Sequence, residues 1–137
     1  MTQGEINALT YTIIGAAIEV HRELGPGLME SVYEKCMAHL LIGKGIKVTS
    51  QQKIPLIFKG LYLECDLRFD LLVEDSIIVE IKAVDCLVPV FEAQLLTYLK
   101  LYKKPKGILL NFNCTNIVKE GQKTRVTEFY ANLPKGY

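Results

Sequence analysis

The stretch from Asp66 to Lys82 constrains the fold more than any other part of the chain. Two largely apolar runs flank the polar turn Glu74-Asp75-Ser76. In the first, Asp66, Arg68, Asp70 and Leu72 alternate with Leu67, Phe69, Leu71 and Val73. In the second, Ile78, Glu80 and Lys82 alternate with Ile77, Val79 and Ile81. Period-two patterning marks strands with two unlike faces. Even positions form the polar face in both runs, and odd positions form the apolar one. An antiparallel hairpin pairs residues whose numbers have a constant sum, and like must oppose like. A two-residue loop, pairing Val73 with Ser76, would set Asp70 against Val79. A three-residue loop, pairing Val73 with Ile77, sets Asp70 against Glu80 and Arg68 against Lys82. Opposed Cβ atoms lie about 4.5–5.5 Å apart. A slip of one residue would bury the charges, so the register is well specified.

Two adjacent carboxylates repel, and one holds a proton unless something positive sits between them. A divalent cation answers that need, and hard oxygen donors suit Mg²⁺ or Mn²⁺. The alternative is a solvated sheet face whose charges pair with Arg68 and Lys82. Spacing alone leaves both readings open.

A chain of 137 residues is expected to form one domain with a proper core. Half the residues are hydrophobic, which argues against disorder. The formal net charge of +1 lacks the basic excess of a strong nucleic-acid binder. Two local clusters remain: Lys100, Lys103, Lys104 and Lys106, and then Lys119, Lys123 and Arg125. Cys36, Cys65, Cys86 and Cys114 are widely spaced, with no C-x-x-C pair, so a zinc site is not expected. A helical pattern starts at Gly4-Glu5, which argues against a leader and for reduced thiols in the cytoplasm. No apolar run approaches the roughly 18–20 residues of a membrane span.

The first helix is expected over about Gln3–Glu23, with Thr2 and Glu5 as a capping box and Gly25-Pro26-Gly27 as its stop. His21, near its end, reads as structural. A second helix is expected over about Leu28–Leu41, ended by Gly43 or Gly45. On it Glu30 and Tyr33 are one turn apart and are expected to share a side; Glu30 also suits the first turn electrostatically. Ile46–Ser50 and Lys53–Lys59 read as strands, and Leu61–Val73 resumes the sheet. Pro89 opens a third helix over about Val90–Tyr102. On it Gln94 and Tyr98 fall on one side, and Gln94 is expected to face a polar cavity or a hydrogen-bonded network. Ile108–Phe112 is a buried strand, Gln122–Tyr130 an edge strand and Ala131–Tyr137 a tail. The whole is an α/β (α+β) domain with helices on a partly antiparallel sheet.

Read together, these segments resemble a known family. Asp70 followed by Glu80-Ile81-Lys82 is similar to the D…(D/E)-x-K signature of PD-(D/E)XK nucleases. Gln94-Leu95-Leu96-Thr97-Tyr98 resembles the Q-x-x-x-Y helix motif of the RecB-like branch. Gly27-Leu28-Met29-Glu30-Ser31-Val32-Tyr33 resembles the motif that names the small bacterial GxxExxY proteins. The likeness runs through roughly residues 6–130. Phe69 stands where the signature's name has proline, and no separate DNA-reading element is present.

The resemblance implies a restriction-endonuclease-like αβββαβ core and metal-dependent hydrolysis of phosphodiester bonds. Carried over, Asp70 and Glu80 hold Mg²⁺ or Mn²⁺, with the Ile81 carbonyl as a further ligand. Glu30 completes the metal shell or positions water. Lys82 orients the attacking water or meets transition-state charge. Gln94 supports Lys82 or a phosphate, and Tyr98 lines the site beside it, as does Tyr33 from the second helix. The implied partner is nucleic acid, DNA ahead of RNA, with no membrane; a homodimer is one expected state. The competing expectation is a non-catalytic nucleic-acid-binding or regulatory module on the same fold.

Overall fold

The computed structural model describes residues 1–64 and 67–136; Cys65, Asp66 and Tyr137, and with them the first acidic position of the alternating pattern, lie outside the described residues. The first helix, α1, spans Gln3–Leu24, and the Thr2 hydroxyl accepts the Glu5 N–H at 3.1 Å, as the capping box predicts. Two further N–H groups of its first turn are satisfied by the C-terminal tail. Those of Gln3 and Gly4 donate to the carbonyls of Pro134 and Lys135, both at 2.8 Å. Gly25 adopts φ 67° and closes the helix through its N–H to the His21 carbonyl. His21 also reaches the Cys114 carbonyl at 2.8 Å through Nε2, a structural contact.

Helix α2 spans Glu30–Gly43, beginning two residues later than the sequence suggests. Leu28 and Met29 belong to the connection instead. Strand β1 (Val48–Lys53) leads into a separate two-stranded ribbon, β2 (Leu56–Phe58) and β3 (Leu61–Leu63). Strands β4 (Arg68–Val73) and β5 (Ile77–Lys82) form the central hairpin. Helix α3 (Pro89–Leu101) carries Pro89 in its first turn and leads to β6 (Lys106–Asn111). Strand β7 (Gln122–Val126) and a short helix α4 (Glu128–Ala131) complete the chain.

The main sheet has the order β1-β4-β5-β6-β7. Only β5 and β6 are parallel, with α3 as their crossover; the other neighbours are antiparallel. Two expectations are corrected here. Leu61–Val73 is not one strand, because its first part pairs within the ribbon, where Ile57 opposes Tyr62 and Phe58 opposes Leu61. The ribbon joins neither core, and Ile57, Phe58, Leu61 and Tyr62 stay 57–63 % exposed. The last strand stops at Val126, because the Thr127 hydroxyl accepts the Phe129 N–H at 3.3 Å and starts α4.

Both faces of the sheet are covered. Leu71, Val73, Ile77, Val79 and Ile81 pack with α1 and α2 in one core. Leu72, Ile78 and Leu109 pack with Leu95, Tyr98 and Leu99 of α3 in a second. The even face of the hairpin is therefore not polar throughout. Its polar character is confined to the end that carries Glu80 and Lys82. The reason is visible in the residues: Leu72 and Ile78, nearest the turn, are apolar and find α3.

Candidate functional site

The hairpin that carries the acidic pair is pinned at its turn. Its pairs are Leu71–Val79, Leu72–Ile78 and Val73–Ile77, so the loop Glu74-Asp75-Ser76 has three residues, as the parity argument requires. Glu74 and Asp75 both take left-handed backbone, φ 52° and 54°. The turn is held from outside. Lys47 donates its backbone N–H to Glu74 at 3.0 Å and its ammonium to Asp75 at 3.0 Å, while Lys104 donates to the Asp75 carbonyl at 2.8 Å. The hydrogen bond and the charge of Lys47 hold the Asp75 carboxyl below its usual range. Lys104 and Arg125, which is ion-paired with Glu92, thus serve internal contacts rather than an open basic patch.

Beyond Leu71–Val79 the two strands are bridged by side chains. The Asp70 carboxylate accepts the Ile81 N–H through Oδ2 at 2.8 Å, and the Asp70 N–H donates to Glu80 Oε1 at 3.4 Å. The acidic pair therefore closes the gap where the ladder ends. Glu80 lies opposite Leu109 on the α3 side of β5. Asp70 lines a cleft on the α2 side, with Glu30, Glu34, Gln51, Ile81 and Ala83. The cleft encloses about 700 Å³.

A break in strand alternation puts Asp70 there. Leu71 packs in the α1–α2 core, yet Phe69, two residues earlier, packs in the α3 core, 5.7 Å from the ring of Tyr98 and 5.4 Å from that of Tyr102. Strand β1 and its continuation switch sides in the same way, with Val48 against the first core and Ile54 in the second. Between them Gln51 has φ 53°, and the β1–β4 pairing skips it: Ser50 opposes Leu71, and Gln52 opposes Phe69. One left-handed residue opposite Asp70 thus turns both strands over.

The electrostatics follow from burial. Glu80 is only 6 % exposed, and that burial first, then the Asp70 charge, push its carboxyl up to about 8. The Lys82 charge opposes the shift more weakly. The Lys82 ammonium stands 4.7 Å from the Phe91 ring centroid on α3, a cation–π contact beside the gap. Glu34 is also raised, by burial first; the hydrogen bond from Gln51 lowers it and the Asp70 charge raises it further.

Asp70, Glu80, Ile81 and Lys82 therefore come together around the gap. Glu30 stands on the cleft wall, where its Oε1 accepts the Ala83 N–H at 3.3 Å just past the end of β5. Tyr33 departs from expectation. It is fully buried, stacked on Phe112 at 4.4 Å, with its hydroxyl donating to the Gly25 carbonyl at 2.6 Å and accepting the Leu28 N–H at 3.1 Å. It fixes the loop that enters the cleft rather than lining the site. Gln94 is exposed rather than enclosed; its amide donates to the Tyr98 hydroxyl at 3.3 Å, and Tyr98 itself lies in the α3 core. Two cleft residues escape the sequence reading. Gln51 Nε2 donates to Glu34 Oε1 at 2.7 Å and to Asp70 Oδ1 at 3.4 Å. Glu34 carries a signal, four residues after Glu30 on one helix; Gln51 carries none.

The donor set fits a hard divalent cation in part. Asp70 and Glu80 offer two carboxylates at one gap, and Glu80 is buried without a counter-charge strong enough to keep it ionised. Among the described residues no three His, Cys, Asp or Glu side chains converge on one metal position. Mg²⁺ would complete its shell with water and phosphate oxygens, as that ion commonly does.

A mixed sheet with an acidic hairpin gap, two helices on one face and a crossover helix on the other defines a restriction-endonuclease-like domain. The sequence matches the model of the PD-(D/E)XK nuclease superfamily over residues 7–125, and the chain belongs to that superfamily. No curated protein and no solved structure gives a match. Membership implies a nuclease-like domain with nucleic acid as its substrate class. No described helix is long and apolar enough to cross a membrane.

Proposed function

We propose that this protein is a Mg²⁺- or Mn²⁺-dependent nuclease that hydrolyses phosphodiester bonds at the gap between β4 and β5. The observation that carries the reading is the Asp70–Glu80 pair, joined through the Asp70 N–H and standing beside Lys82. Asp70 and Glu80 would hold the cation. Bound there, it supplies Lewis-acid charge and a water of lowered pKa. Lys82 presents a compact positive charge to the negative charge that builds on the phosphoryl oxygens. The Ile81 N–H fixes the Asp70 carboxylate so that it need not reorganise. Glu30, tied to the Ala83 N–H, can orient a water at the cleft wall. Gln94 reaches only Tyr98 by hydrogen bond among the described residues, and we give it a role at the rim, toward substrate. On the motifs Gly27–Tyr33 and Gln94–Tyr98 we place the chain with the GxxExxY proteins and the RecB-like branch.

The absence of a third converging ligand among the described residues keeps a second reading in play, a non-catalytic nucleic-acid-binding module on the same fold. A cleavage screen separates the two. Single- and double-stranded DNA and RNA are incubated with Mg²⁺, with Mn²⁺ and with chelator, using wild type and Glu80→Ala. Metal-dependent cleavage lost in Glu80→Ala supports the nuclease. Binding without turnover under any metal supports the module, and undiminished cleavage by Glu80→Ala rules out this mechanism.

A further inference from the structure

The cleft contains a residue whose conformation is costly and whose contacts bear on the acidic gap. Gln51 holds φ 53°, a region that residues other than glycine seldom occupy and that persists where the surroundings enforce it. It sits at the one skipped position of the β1–β4 pairing, opposite Asp70. At that point both strands change faces, and Asp70 leaves the alternation that would set it on the α3 side with Leu72. The same residue's amide touches Glu34 Oε1 at 2.7 Å and Asp70 Oδ1 at 3.4 Å. Its NH₂ group has two donors and no charge. It can therefore hold two carboxylates side by side without neutralising them, which a lysine would do and a hydrocarbon could not.

We infer that Gln51 is a positioning residue for Asp70: its left-handed backbone turns Asp70 into the α2 cleft, and its amide fixes the Asp70 carboxylate against Glu34 for cation binding. The inference rests on the reading of the gap as a metal site. Asp70 is then held from two directions, with Ile81 N–H on Oδ2 and the Gln51 amide on Oδ1. Glu34 acts one step further out, as the acceptor that aims the amide. Outer partners of this kind typically change metal affinity 10–100-fold when lost.

Two substitutions separate backbone from side chain. Gln51→Gly tolerates the left-handed backbone and removes the amide; Gln51→Val removes the amide and disfavours the backbone as well. Each is titrated calorimetrically with Mg²⁺ alone and its melting temperature is recorded. Gln51→Gly is expected to keep a melting temperature near wild type while binding Mg²⁺ about 10-fold or more weakly. Gln51→Val is expected to bind weaker still and to melt lower. A Gln51→Gly affinity within twofold of wild type overturns the inference and leaves the metal reading standing. A wild-type protein that binds neither Mg²⁺ nor Mn²⁺ overturns both.

Discussion

Replacing Glu80 with glutamine should make the metal-free protein more stable, and by an amount set by the burial of this one carboxyl. In the native state it titrates near 8, against 4.5 for the ordinary side chain. Between those values the native state holds a proton that the unfolded chain has released, so native stability falls as pH rises through the window. Holding that proton at pH 7 costs roughly 3 kcal/mol of native stability, from about 1.4 kcal/mol for each pKa unit between the unfolded value and the pH. Glutamine keeps an oxygen for the Asp70 N–H and carries no charge. Glu80→Gln should therefore melt higher than wild type at pH 7 by about 10 °C in chelator, given several degrees per kcal/mol for a domain this size. The gap should shrink to within a few degrees at pH 5, where the carboxyl of the unfolded chain begins to take up its own proton. Mg²⁺ should narrow it at pH 7 by raising the wild-type melting point alone. The assay is thermal unfolding followed by circular dichroism from pH 5 to 8.5, with and without Mg²⁺. Equal melting temperatures at pH 7 and above would refute the claim that Glu80 is a buried carboxyl without an adequate counter-charge.

Two further outcomes bear on the scaffold. Tyr33→Phe deletes the hydroxyl that serves both the Gly25 carbonyl and the Leu28 N–H, leaving two part-buried backbone groups short of a partner. It should lower stability by about 1–3 kcal/mol in urea unfolding and leave Mg²⁺ affinity within a few-fold of wild type; a large loss of affinity at unchanged stability would place Tyr33 in the site instead. Ile57→Ser with Tyr62→Ser should shift the melting temperature by no more than a degree or two, because the ribbon packs in neither core; a drop of many degrees would mean that the ribbon supports the domain.

The residues reveal the hairpin better than the faces around it. Parity excludes a two-residue turn, because that loop length sets a charge against a core side chain, and the three-residue turn keeps like opposite like. The same parity fails at Asp70, because a left-handed residue on the neighbouring strand turns both strands over. Nothing in the letters Ser50-Gln51-Gln52 marks that residue, since glutamine has no special tolerance for positive φ. The second core is partly legible: Leu72 and Ile78 are apolar on the face that the alternation marks as polar, and α3 covers them. The spacing of Tyr33 from Glu30 points it toward the site, whereas its spacing from Met37 and Leu41 marks the core stripe of α2. Gln94 is expected at a polar cavity or in a hydrogen-bonded network; its amide reaches the Tyr98 hydroxyl, yet it stands exposed, because α3 buries only Leu95, Tyr98 and Leu99. Leu61–Val73 is expected to run on in the main sheet; pairing decides otherwise, and β2 and β3 pair with each other.

Whether the β4–β5 gap hydrolyses phosphodiester bonds with Lys82 meeting the charge of the transition state is decided by one comparison. Cleavage rates of wild type and Lys82→Ala are measured in saturating Mg²⁺ on whichever nucleic acid the wild type cuts. At least a 100-fold loss of turnover is expected with Mg²⁺ binding and folding retained, since the ammonium packs over Phe91 and its charge acts on Glu80 less than burial and Asp70 do. Turnover by Lys82→Ala within a few-fold of wild type would contradict it.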